Sequence, residues 1–336
     1  MSEEIAQALA ELNRQVDGAE GEELALALTR RAALYTAQAD YEKAEGDLKR
    51  ASDAWFRLNR PRDQGRTEYA RARIVAQADL PRAAEFFRRA ASMARVGGDA
   101  DTEIKCREGL AAALGALGDY EAALAETRAT GERLGALGDA LAHSANLRSQ
   151  ATLLQLVGRP NKALEAFDEA VRVAAEAGHT AAALQARIER RGQVQFTVSP
   201  EREPLDQLVA EAQALGLPTL AGQARLQLAA ERLRLGHPVE AAALADEARQ
   251  EALDHVQPVL YLMACIALGE AREAQGDRAG VIAILLTCKQ TLQDTLGREA
   301  AQPVLRLLDA LEERWGAEGL EVALAEYRER ARQGPL

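Results

Sequence analysis

Between residues 147 and 170 apolar positions return every three or four residues: Leu147, Ala151 and Leu154, then Ala163, Phe167 and Ala170. That spacing puts each set on one face of a helix. Gly158 stops the first helix, because glycine enters the left-handed conformation at a helix end without a Cβ clash. Pro160 suits the opening turn of the second, where its missing N–H costs nothing. The stretch therefore predicts two helices joined by a tight turn. Ala163 is small enough to let the two backbones approach, and Phe167, one turn on, fills the space beside it. Such a hairpin cannot bury its apolar face alone.

The arrangement repeats. Gly98, Gly118, Gly138, Gly158 and Gly178 fall every 20 residues, so each hairpin takes 40, and the beat resumes with small slips at Gly216, Gly236, Gly276, Gly297 and Gly316. Here the chain resembles the tetratricopeptide repeat family, whose pattern is W-x2-L-G-x2-Y followed by A-x3-F. Leu147, Gln150, Ala151 and Leu154 take the first four places, and Ala163 with Phe167 the last two. Further copies are Leu268-Gly269 with Gly276-Asp277, Gly118-Asp119-Tyr120 with Ala123, and Tyr35, Asp40-Tyr41 and Ala44. The family repeat is about 34 residues, so the longer period implies helices about one turn longer. The resemblance implies an all-α, right-handed solenoid like the long-repeat regulatory and scaffolding members, with a concave groove lined by the first helix of each hairpin.

In chain order, residues 1–20 hold an amphipathic cap helix, with Ile5, Leu9, Leu12 and Val16 in one stripe and Ser2 as its N-cap. Seven hairpins follow over 22–296, and 298–333 form a C-terminal capping pair, giving one solenoid over 1–336. Asp40 is expected to cap a helix, and Trp55 and Phe56 to pack toward the next hairpin. In the second hairpin Arg71 falls where a small residue belongs, which predicts a one-residue slip in register. In the fifth, Thr197–Pro204 replaces the tight turn, either as an insertion on one rim or as a joint or partner-contacting loop.

Composition narrows the reading. Hydrophobics at 48% with only 4% aromatics call for close-packed Ala/Leu helices rather than a sheet sandwich. Only five basic residues are lysine (Lys43, Lys49, Lys105, Lys162, Lys289), an arginine bias of the kind that GC-rich bacterial coding produces. Net charge is −11, and the Arg-rich stretch 187–191 is interrupted by Glu189, so the basic footprint of a nucleic-acid binder is missing. Cys106, Cys265 and Cys288 are odd in number and far apart, which predicts buried reduced thiols rather than a disulfide framework. The N-terminus lacks the pattern of a signal sequence, and no run of about 18 apolar residues exists to span a bilayer. A cytoplasmic protein is expected.

Chemistry is sparse. His143, His179, His237 and His255 are dispersed, three of them at or near turns, and no H-E-x-x-H, C-x-x-C or phosphate-cradling glycine loop occurs. No catalytic residue, metal or cofactor is expected. The expected site is the groove: Arg148, Thr152 and Gln155 opposite the buried stripe, then Gln185, Glu189 and Gln195, then Gln223 and Gln227. These polar side chains can donate and accept hydrogen bonds, although any helix exposes polar residues to solvent. Relatives that clamp extended peptides carry Asn after the Leu-Gly pair; here those places hold Ala33, Ala112, Thr152, Gly192, Ala230 and Glu270. The expected function is a non-enzymatic interaction scaffold binding a partner protein or peptide, with homo-oligomerisation compatible. The alternative is a regulator that responds to a peptide or small molecule in the groove.

Overall fold

A helix leaves its first N–H groups without intrahelical partners, and this chain answers in two ways. Asp40, Asp79, Asp99, Asp119, Asp139 and Asp277 each accept a hydrogen bond from the backbone N–H three residues on. Where aspartate is absent, Pro61, Pro160, Pro218, Pro238 and Pro258 open the helix instead. The computed structural model describes residues 3–194 and 203–333. Among them the helices are α1 (Glu3–Gly18), α2 (Gly21–Ala37), α3 (Tyr41–Arg57), α4 (Pro61–Val75), α5 (Leu80–Val96), α6 (Ala100–Ala116), α7 (Tyr120–Leu137) and α8 (Ala140–Leu156). They continue as α9 (Pro160–Glu176), α10 (Thr180–Val194), α11 (Leu205–Ala214), α12 (Pro218–Arg234), α13 (Pro238–Asp254), α14 (Pro258–Ala274), α15 (Arg278–Leu296) and α16 (Gln302–Gln333). Gly316 breaks α16 into two pieces (φ 73°, ψ 162°). Ser2 lies outside the described residues.

Two compact units are distinguished, Met1–Ala183 and Leu184–Leu336. Within each, a helix packs on its chain neighbour, and first helices of successive hairpins also touch, α4 on α6 and α12 on α14. The protein is an all-α solenoid.

Small residues set the spacing within hairpins. The fourth residue past the cap is Ala44, Ala83, Ala123, Ala163 and Ala241 in five of them, each at most 1% exposed. Ala32, Ala151 and Ala229 meet Ala44, Ala163 and Ala241 from the first helices. Where the position is Val281, Gly269 stands opposite. In the hairpin around Gly158, Leu147, Ala151 and Leu154 are buried, and Phe167 is 1% exposed against Leu124.

The second hairpin slips by one residue, as its sequence implies. Ala72 takes the buried small position, and the Arg71 guanidinium lies 4.1 Å from the Phe86 ring centroid and bonds Glu45 at 3.0 Å. Trp55 is buried, but Phe56 is 71% exposed, so only one of that pair reaches the core; the two sit about 100° apart around the helix, and Phe56 falls on its outer side.

Two backbone features give predictions of opposite sign. A Cβ on Gly65 would lie 2.8 Å from the Ala94 nitrogen, whereas one on Gly46 would meet nothing within 4 Å. Gly65→Ala should destabilise by about 1–3 kcal/mol through overpacking. Gly46→Ala, on an exposed helix face, should stabilise by about 0.5–1 kcal/mol. Denaturant melts of the two variants check this, and a shared sign would contradict the close approach of α4 and α5.

Val256 occupies the left-handed conformation (φ 52°) at a turn where Gly98, Gly138, Gly178 and Gly216 sit elsewhere. A β-branched residue is strained there, and Val256 is 71% exposed, so its side chain contributes little burial. Val256→Gly should raise stability by about 0.5–1 kcal/mol, the strain relief of about 1–2 kcal/mol less the entropic cost of glycine. A thermal midpoint equal to or below the parent would count against the strain.

Candidate functional site

Within the second unit, one face of α12 presents Thr219, Gln223, Gln227, Ala230 and Arg234 at three-to-four-residue steps, while Ala221, Ala224 and Leu228 face the core. Opposite this face stands α10 with Ile188, Glu189 and Gly192, and the opening turns of α14 close the far side with Gln257, Val259 and Met263. Together they enclose a cavity of about 550 Å³, within the usual range for ligand sites. Its walls are mainly apolar. Val259 and Met263 are 73% and 53% exposed, large apolar side chains left open to solvent.

The polar groups are placed by α10. Gln227 Nε2 donates to the Ile188 carbonyl at 2.9 Å, reaching from α12 to α10. Glycine at 192 makes room for it, since a Cβ there would lie 2.9 Å from that same nitrogen. The other half of the carboxamide is unsatisfied: Gln227 Oε1 is buried without a hydrogen-bond partner, and so is Gln257 Oε1. A buried acceptor left unpaired costs about 1–3 kcal/mol. Arg191, 6% exposed, is spent on the Glu203 carbonyl (2.9 Å) and on Glu231 (2.7 Å). Arg234 is exposed at the rim and has no ion-pair partner among the described residues.

The first unit has a cavity of about 590 Å³ between α6 and α8, floored by α7. Its hydroxyls already serve their own helices: Thr127, Thr130, Ser149 and Thr152 each donate to the carbonyl four residues back. The Glu108 carboxyl on its wall is pushed above the usual carboxylate range by burial. No orphaned acceptor is found on this wall, so the second-unit cavity is the better equipped of the two.

Of the residues expected from sequence, Glu189, Gln223 and Gln227 come together at the second-unit cavity, and Thr152 lines the first-unit one. Gln185 donates to Glu189 at 3.1 Å but stands back from the wall. Arg148 and Gln155 are half-buried and line neither cavity. Gln195 lies outside the described residues, as do 197–202 of the insertion. Its described end, Glu203, binds Arg187. Sequence reasoning passed over Arg191, Arg234, Gln257, Val259 and Met263. A signal existed for the apolar pair: 258–268 is apolar on more faces than a half-buried helix requires.

The three thiols are buried and unpaired by disulfides. Among the described residues no group of three or more His, Cys, Asp or Glu is arranged to hold a metal, and no helix is long and apolar enough to cross a membrane.

No family model matches the chain. No curated protein matches it either. Solved structures do. A signal-transduction ATPase with numerous domains carrying a tetratricopeptide repeat sensor, from Pyrococcus horikoshii, aligns with 98% of this chain and 53% of its own at 13% identity and a TM-score of 0.53. This chain thus spans about half the length of that protein. The apo quorum sensor NprR from B. thuringiensis aligns over 90% and 80% at 13% identity, TM-score 0.45. BtubC from P. vanneervenii aligns over 76% and 90% at 15% identity, TM-score 0.45. At these identities the likeness is one of fold, and the fold is that of tetratricopeptide-type helical repeats.

Proposed function

We propose that the chain is a protein-interaction module whose second unit takes up a peptide segment of a partner between α10, α12 and α14. The observation that carries the proposal is the pair of buried, unpartnered carboxamide oxygens, Gln227 Oε1 and Gln257 Oε1, beside the exposed Val259 and Met263. A peptide supplies both complements at once. Its backbone N–H groups pair with the two carboxamide oxygens once those side chains turn toward the cavity, and an apolar side chain covers the open valine and methionine. The unpaired guanidinium of Arg234 at the rim favours a partner that carries a carboxylate beside its apolar residue.

A regulatory role, with binding read out as a change in the repeats, draws support from the origin of the walls. They come from three successive hairpins, so one occupant contacts all three at once. Binding would then slow amide exchange in α10, α12 and α14 together.

The test is a peptide selected from a random display library on the immobilised protein, titrated by calorimetry. Met263→Glu should weaken binding about tenfold or more, since burying a charge on an apolar contact costs more than about 1.4 kcal/mol. Lys162→Glu, exposed on α9, should leave the affinity within about twofold. Gln257→Met should also weaken binding, yet leave the free protein at least as stable, because it removes an unsatisfied acceptor. Equal affinities for Met263→Glu and Lys162→Glu would move the site elsewhere.

A further inference from the structure

Away from the cavity, the hairpin of α14 and α15 carries two thiols at one level. Cys265 stands eleven residues before the turn glycine Gly276 and Cys288 twelve after it, so antiparallel packing brings them opposite each other. Both belong to one core cluster, at 1% and 0% exposure. Two contacts bracket this level of the α14–α15 interface, Gly269 facing Val281 on the turn side and the Tyr261 hydroxyl donating to Thr291 at 3.2 Å on the other.

The two differ in their surroundings. Cys265 contributes to the wall of a second-unit cavity of about 420 Å³ between α13, α14 and α15, together with Asp246, Arg249 and Tyr261. The hydrogen bond from Cys288 comes first among the influences on Cys265. With the Tyr261 hydroxyl and the charge of Arg249, it outweighs burial and the opposing Asp246, and holds this thiol below the ordinary cysteine range. Cys288, the donor, is driven the other way by that bond and by burial. Access helps decide which cysteine reacts, and it is Cys265, not Cys288, that lines the cavity. Cys106 supplies the contrast: it is buried alone near Asp99 and Glu103, and burial pushes its thiol up to about 12.

We propose that Cys265 and Cys288 form a reversible intramolecular disulfide, with Cys265 the atom oxidised by a small hydroperoxide and Cys288 the resolving thiol. In the first step the Cys265 thiolate attacks the peroxide. An S–O bond forms, the O–O bond breaks, and the departing oxide takes up a proton to leave as water or an alcohol. In the second step the Cys288 sulfur attacks the sulfenic sulfur of Cys265. The S–S bond forms, the S–O bond breaks, and hydroxide leaves as water with the Cys288 proton. Two thiols lose two electrons and one peroxide gains them. A thiol reductant reverses the change by exchange. Because α14 also presents Val259 and Met263 to the neighbouring cavity, the bridge would tie that wall to α15.

The test exposes the full chain to hydrogen peroxide under native conditions, then denatures it, alkylates it and maps the peptides. The expected result is loss of two of the three titratable thiols, a Cys265–Cys288 linked peptide, Cys106 still alkylated, and full recovery of all three with dithiothreitol. Cys288→Ser should instead trap a sulfenic acid at Cys265 that reacts with dimedone. Cys265→Ser should leave Cys288 reduced at the same exposure. Oxidation of Cys106 as fast as Cys265, linkage between chains, or sulfinic acid at Cys265 without a disulfide would overturn the proposal. So would three thiols still reduced after an exposure that converts glutathione fully to its disulfide.

Discussion

Close contact between alanine faces is the constraint on which the rest of the structure depends. With few aromatics to fill gaps, the helices bury apolar surface only by bringing their backbones together, and a side chain larger than alanine at the crossing pushes them apart. Ala44, Ala83, Ala123, Ala163 and Ala241 hold the second helices against the first at almost no exposure. The pairing of Val281 with Gly269 shows the same volume divided differently. Bulk is then needed beside the crossings, and Phe87 and Phe167 supply it one turn on in their hairpins.

Charge is arranged around that packing. Each unit ties helices together with arginine–carboxylate pairs: Arg31 on Asp47 at 2.7 Å, Arg66 on Asp99 at 2.6 Å, Arg191 on Glu231 at 2.7 Å, and Arg225 on Glu251. Asp99 shows the balance involved. Burial alone would raise its carboxyl, but hydrogen bonds from Arg66 and Thr102 hold it below the usual range. Where both partners are largely buried, as with Arg31 and Asp47, removing one leaves the other charge without its main partner. Two arginines of 187–191 are engaged in the same way, Arg187 by Glu203 and Glu211 and Arg191 by Glu231. What reads as an Arg-rich stretch is therefore structural cement rather than a basic patch.

The second-unit cavity is marked by acceptors left over on its wall. Gln227 reaches α10 only because residue 192 lacks a Cβ, and in doing so it turns its oxygen into a site without a donor. The apolar side chains nearby lie on the opening turns of α14, where the same helix must bury Tyr261 and Cys265 on its other side. One helix thus serves a core, a cavity wall and a thiol pair.

Much of the fold was legible from sequence because its determinants are local. Gly158 and Pro160, the aspartates at 40, 79 and 119, and the alanine four residues past the cap in five hairpins act within a turn or two of themselves, and their 40-residue recurrence reveals the hairpin. The slip at Arg71 could be read from spacing alone. The site was legible only in part. Glu189, Gln223 and Gln227 follow from taking the outer face of each first helix, but Arg148 and Gln155 on the same face line neither cavity. Periodicity says which side of a helix is outward; it does not say how far the next hairpin leans over it. The exposure of Phe56 beside buried Trp55, the room that Gly192 gives Gln227, the orphaned oxygen of Gln257 and the meeting of Cys265 with Cys288 are all set by contacts between residues far apart in sequence. Only the tertiary structure could decide them, because a side chain's partner across a helix interface depends on axial position and tilt, which no single helix encodes.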